Sequence, residues 1–218
     1  MFRDNNPIYE FRGPWGVPVQ VGASIILLPL ILIDFGGDIR SFAYDVMFLL
    51  ILLGSIYLHE LGHAWGCLIQ GVPVKRIMLY GGGGFCERTR SATRYEQELI
   101  VGMGPIVTIS LWAIAGLIAP LVSDPEIRWV FQTISWVNGF LAILNLLPVH
   151  PLDGGKLFEL MLHRVLQPYA ARLVSGVIGL IFAIVWVPLM IYGFAAFGLV
   201  LFFFPSVRLH WHMLTARA

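Results

Sequence analysis

Between Arg172 and Arg208 the chain runs for 35 residues without a lysine, arginine, aspartate or glutamate. As one helix this run would reach about 52 Å, well beyond a hydrocarbon core of about 30 Å. No ordinary soluble domain accommodates it. The composition agrees: 58% of the 218 residues are hydrophobic, 12% are charged, and the mean hydropathy is +0.80. Such a balance belongs to an integral membrane protein. The net charge of +1 leaves no basic domain for nucleic acid. The two cysteines, Cys67 and Cys86, have no C-x-x-C spacing, so neither a zinc knuckle nor a disulfide framework is expected. Cys67 reads as a small buried apolar side chain.

The expected fold class is an all-α polytopic membrane protein forming a single domain over residues 1–218. About six transmembrane helices are expected, with a small membrane-associated β-sheet or hairpin. The first crossing is Val17 to Ile33, read as retained because Pro18 and Pro29 interrupt it and no small-residue cleavage site follows. The second is about Val46 to Ile69, the third Leu99 to Val122, and the fourth about Trp129 to Leu147. The long apolar run is divided into two short helices near Pro188, with a single tilted helix and interfacial tail as the alternative. With a cytoplasmic N-terminus, six crossings put twelve lysines and arginines inside and leave Arg40 and Arg128 outside. That asymmetry predicts cytoplasmic termini at both ends.

Within the second crossing stands "IYLHELGHAW", residues 56–65. His59 and His63 are four residues apart and share one helix face, so both imidazoles can aim at one point. Glu60 lies about 100° round the helix, where it can serve a bound ligand without holding the metal itself. H-E-x-x-H is the helical zinc signature for this reason. Three ionisable groups in an apolar helix are costly unless paired or bound, which makes them a functional site by default.

A catalytic zinc takes three protein ligands and keeps one position open, so a further ligand is required. Asp153, in "NLLPVHPLDGGKLF" (residues 145–158), follows the fourth crossing on the same side as the end of the histidine-bearing helix. Pro148 and Pro151 exclude a regular helix there, and Gly154 and Gly155 allow the loop to fold back. An ordinary loop turn at D-G-G, or His150 as the third ligand, are the competing readings.

These motifs resemble those of the site-2 proteases, a family of intramembrane zinc metalloproteases. The family pairs H-E-x-x-H with N-x-x-P-x-x-x-x-D-G; here these are His59 to His63, and Asn145, Pro148, Asp153 and Gly154. The resemblance extends to "GPWGVPVQVGAS", "GVPVKRIMLYGGGGF" and "GMGP" (residues 102–105). It implies one zinc per chain held by His59, His63 and Asp153, with Glu60 as general base and Asn145 holding or polarising the substrate peptide. The implied activity is hydrolysis of peptide bonds in membrane proteins on the cytoplasmic side of the bilayer, as regulated intramembrane proteolysis. The implied setting is a prokaryotic cell membrane, with a transmembrane protein or peptide as substrate. The loop of residues 70–97 is too short for a PDZ domain and no nucleotide-sensing module is expected after the last helix, so a regulator is expected to be a separate protein or not to be needed.

Two other classes use the same residues: a membrane zinc transporter, and an inactive scaffold retaining a structural metal. Residues 72–80 alternate and are rich in β-branched and aromatic side chains, which predicts an edge strand able to capture an unwound substrate, or a hairpin that merely plugs the surface. Trp15 and the tail "RLHWHM" read as interfacial anchors, with His210 and His212 as solvated surface groups and metal binding by the pair as the alternative. Ser135, Asn138 and Gln132 read as interhelical hydrogen-bond partners.

Overall fold

The computed structural model describes residues 7–197 and 205–215 and divides into two compact units, Met1–Ala142 and Ile143–Ala218. In the first unit, β1 (Pro7–Arg12), β2 (Pro18–Gly22), β3 (Val74–Tyr80) and β4 (Gly83–Arg88) form one sheet in the order β1-β2-β3-β4. The outer pairs are antiparallel and β2 runs parallel to β3. Four helices accompany the sheet: α1 (Leu27–Leu32), α2 (Ile39–Ile69), α3 (Arg94–Ile118) and α4 (Pro125–Asn145), whose last turn opens the second unit. That unit continues with α5 (Asp153–Leu162), α6 (Pro168–Phe197) and α7 (Val207–Thr215).

Among the described residues, four helices are long and apolar enough to cross a membrane: α2, α3 with its short extension, α4 and α6. The expected first crossing is not one helix. Val17, Val19 and Val21 alternate, and their strand pairs on both sides, with β1 and with β3. Val17 and Val19 are buried with Leu61, Ala64, Ile77 and Leu79, so the sheet packs on α2. Only the ten residues Ala23–Leu32 are helical. Strand and helix together still reach roughly 30 Å. The break expected near Pro188 is absent, because α6 continues through that residue. Residues 198–204, expected in the sixth crossing, and Arg3 and Arg217 of the charge count lie outside the described residues.

A second correction concerns residues 72–80. Their strand, β3, is interior, because β2 occupies the side expected to be open; the free edge beside it is β4. The helix ends follow local rules. Asp38 accepts from the Ser41 amide at 2.7 Å and caps α2. Gly71, at φ +63°, ends it by letting the Val72 amide return to the Cys67 carbonyl at 2.8 Å. Thr93 and Glu96 form a reciprocal capping box at the start of α3. Two of the three polar groups expected to join helices do so: the buried Asn138 amide donates to Ser55 on α2 at 2.9 Å, and the Ser135 hydroxyl donates to the Trp112 carbonyl on α3 at 3.0 Å.

Candidate metal centre

His59, Glu60 and His63 lie on the last third of α2 and are all buried. Their ligand atoms stand within 4.8 Å of one another, and no other such group of three exists among the described residues. The Nε2 atoms of the two histidines are 3.1 Å apart, with the rings nearly perpendicular at 87°. Two nitrogens on a tetrahedral zinc at about 2.05 Å stand about 3.3 Å apart, so the donor pair fits that ion. The tautomer of His63 is decided by its neighbour: Nδ1 is 2.8 Å from the Ile100 carbonyl, which can only accept. The proton therefore sits on Nδ1, and Nε2 presents its lone pair to the centre.

Backbone closes the centre on its α3 and β4 sides. Gly62 and Gly66 let α3 approach α2: a Cβ at Gly62 would lie 2.6 Å from the Met103 carbonyl oxygen, and one at Gly66 2.9 Å from Ile100 Cα. This approach brings Gly104 over the imidazoles, where a Cβ would lie 2.5 Å from His63 Nε2 and 2.8 Å from His59 Cε1. On the sheet side, a Cβ at Gly84 of β4 would lie 2.7 Å from Glu60 Cγ. The free edge strand thus runs past the carboxylate. Sequence reasoning noted Gly84 and Gly104 within motifs and missed their task, because only the partner side chain reveals it.

Asn145 and Asp153 belong to the second unit. Asn145 is the last residue of α4 and half-buried; Asp153 is the first residue of α5 and buried. The positive end of α5 favours an ionised carboxylate there. Lys156 Nζ stands 3.4 Å from Asp153 Oδ1. Gly154 and Gly155 serve contact more than freedom: a Cβ on Gly155 would lie 2.5 Å from the Val149 carbonyl carbon, and one on Gly154 would collide with Leu146. His150 is engaged otherwise than as a ligand to the centre, since its Nε2 is 3.0 Å from Glu159 Oε2. That partner also holds the Glu159 carboxyl below its ordinary range. One reading of the tail fails. His210 is fully buried, while His212 stays exposed.

Residues 103–188 match the sequence pattern of peptidase family M50. The matched segment includes the Asn145–Gly154 motif. The chain is 27% identical over 192 residues to a zinc metalloprotease of Methanocaldococcus jannaschii, covering 85% of this chain and 54% of the relative. It is 32% identical over 120 residues to the stage IV sporulation protein FB of Bacillus subtilis, covering 54% of this chain and 41% of that protein. The chain thus spans about half the length of these curated relatives. The site-2 protease from Methanocaldococcus jannaschii shares its fold, with a TM-score of 0.65 over 94% of this chain and 92% of that one at 20% identity. The chain is therefore similar to peptidase family M50 over residues 103–188 and to a zinc metalloprotease over a longer span, and it shares the fold of a site-2 protease.

Proposed function

We propose that the chain is an intramembrane zinc endopeptidase that cuts membrane-protein substrates near the cytoplasmic face. One observation carries this reading. Two imidazole Nε2 atoms 3.1 Å apart, one with its tautomer fixed from behind, share a buried site with a carboxylate on a helix fit to cross a membrane. His59, His63 and Asp153 would hold the ion; Asp153 is supported by its burial and by the motif it shares with Asn145. Zinc, once bound, supplies Lewis-acid activation of water and of the scissile carbonyl. Glu60 takes the proton of the attacking water and delivers it to the departing amine, a contribution of roughly 10²–10⁴-fold. Asn145 donates its amide to the substrate carbonyl and shares the charge that develops on its oxygen.

A transmembrane substrate must unwind before its amides can be attacked. β4 is an open sheet edge, and Gly84 sets it against Glu60. The unwound segment adds to β4 as a further strand, which lays its backbone beside the general base. His63 lies six residues before the end of α2, so water has roughly 9 Å of helix to pass. The lysine and arginine bias supports a cytoplasmic position for that end.

Glu60→Gln tests the reading against transport and scaffolding. The variant should retain zinc and fold and lose cleavage of a reconstituted substrate by at least 100-fold. Cleavage at the wild-type rate would end the proteolytic reading. Asp153→Ala should lose zinc as measured by metal analysis; full retention would remove Asp153 from the ligand set.

A further inference from the structure

The second unit contains a polar cluster that the catalytic reading does not use, and it converges on the loop leading to Asp153. His210 of α7 is fully buried, although its helix is otherwise largely exposed. Space for its ring exists because α6 carries glycine at 179, where any Cβ would collide with the imidazole. Gly176, one turn earlier, lets α7 approach: a Cβ there would lie 3.0 Å from Met213 Cβ. The ring is oriented at both nitrogens. Nδ1 donates to the Ser206 carbonyl at 2.8 Å, so Nε2 is left as an acceptor. Into it the backbone N–H of His150 donates at 3.2 Å. Burial lowers the basicity of His210, which favours the neutral ring that this pair of bonds requires.

His150 is gripped twice more. Its Nε2 meets Glu159 of α5 at 3.0 Å and the Ser175 hydroxyl of α6 at 3.5 Å. Helices α5, α6 and α7 therefore all bind one residue of the loop, and that residue lies three before Asp153. The loop's own bonds carry the constraint forward: Leu152 N–H donates to the Val149 carbonyl at 3.0 Å, and Lys156 N–H donates to the Leu152 carbonyl at 3.3 Å. A buried N–H without its acceptor is costly, so this backbone has a definite reason to stay where His210 holds it.

We infer that His210 is a positioning residue that fixes the 146–152 loop through the His150 amide and thereby sets the Asp153 carboxylate for the metal. The inference rests on the reading of Asp153 as a zinc ligand. Partners that orient a metal ligand typically contribute 10–100-fold in affinity. His210 acts through three residues of backbone, so the effect belongs near the lower end, roughly tenfold.

The test measures zinc affinity of the full-length protein in detergent, by competition with a chromophoric chelator, for wild type, Asp153→Ala, His210→Phe and His210→Gln. Phenylalanine fills the space without an acceptor; glutamine restores a carbonyl oxygen. The inference expects a large loss for Asp153→Ala, a loss of roughly tenfold for His210→Phe and partial recovery for His210→Gln. Cleavage by His210→Phe, at saturating zinc, should show a lowered kcat with KM little changed. Hydrogen exchange of the zinc-free protein gives the second measure, and His210→Gln serves should the phenylalanine variant not fold. The 146–153 amides should exchange faster in His210→Phe than in wild type, with α6 unchanged, and His210→Gln should lie between. Loss of zinc in Asp153→Ala with wild-type affinity in His210→Phe would overturn the positioning role while leaving the ligand assignment standing. Wild-type affinity in Asp153→Ala would overturn both.

Discussion

Gly104→Ala places one methyl group against both zinc-facing imidazoles. Its Cβ would stand 2.5 Å from His63 Cε1 and Nε2 and 2.8 Å from His59 Cε1, against an ordinary contact of 3.4 Å or more. The rings or α3 must therefore yield by about 0.9 Å and 0.6 Å. Metal sites tolerate ligand displacements of only about 0.2 Å. The His63 ring has little room to retreat, because its Nδ1–H is tied to the Ile100 carbonyl. A loss of 10–100-fold in zinc affinity is expected, or about 1.4–2.7 kcal/mol. The fold should suffer less, since alanine gains about 1 kcal/mol over glycine in a helix and overpacking costs about 1–3 kcal/mol. Gly102→Ala is the control: it lies half a turn away on the same helix and its Cβ would meet nothing within 4 Å. The assays are chelator competition for zinc and thermal unfolding of the zinc-free protein in detergent. Zinc affinity of Gly104→Ala within twofold of wild type, or equal losses in both variants, would refute the claim that backbone closeness at residue 104 shapes the centre.

Three further outcomes follow from other contacts. Asn138→Leu removes the interhelical bond to Ser55 and should cost about 0.6–1.7 kcal/mol of stability in detergent unfolding, with zinc content unchanged. Glu87 on β4 pairs with Lys75 and Arg76 at 2.8 and 2.6 Å, and these partners hold its carboxyl below the ordinary range. A depressed folded value means the pair's contribution is present above the unfolded pKa of about 4.3 and is lost as pH falls through the lower folded value. Protection factors for hydrogen exchange in β4, corrected for the intrinsic rate at each pH, should therefore fall below about pH 4 in wild type, and Glu87→Gln should flatten that dependence. Proline substitutions along Phe85–Glu87 probe the free edge. At positions whose N–H points away from β3, they should leave zinc binding intact and abolish cleavage, and undiminished cleavage at every such position would dispose of substrate addition at β4.

The features legible in the sequence were those whose physical requirement is local. H-E-x-x-H needs only helical periodicity to bring His59, Glu60 and His63 together, and α3, α4 and the first turns of α6 needed only length and apolarity. Residues 17–22 misled because a strand paired on both sides is as apolar as a membrane helix; the period-two run of Val17, Val19 and Val21 was the signal that composition overrode. Pro188 was read as a break, yet a helix among apolar neighbours tolerates an internal proline, and α6 runs through it. His210 was illegible for a different reason. Nothing near it in "RLHWHM" marks it for burial; what buries it is a missing side chain at Gly179 and an amide at His150, 31 and 60 residues away in sequence.

The same logic explains why glycine and a carbonyl group face the centre from α3 and β4. Burying two imidazoles and a carboxylate in an apolar helix invites polar side chains as partners, but such a side chain would compete for the ion or for the proton that Glu60 would carry in the proposed reaction. Backbone avoids that conflict: the Ile100 carbonyl orients His63 without offering itself to the metal, and Gly84 and Gly104 bring β4 and α3 to van der Waals distance without adding a titratable group. A wall of main chain is also stiffer than one of side chains, since it has no rotamers to exchange. The consequence is an asymmetry in tolerance. Substituents added at Gly84 or Gly104 reach the centre directly and those at Gly62 or Gly66 press on α3 beside it, whereas those at Gly54 and Gly102 on the same helices meet open space and should leave it untouched.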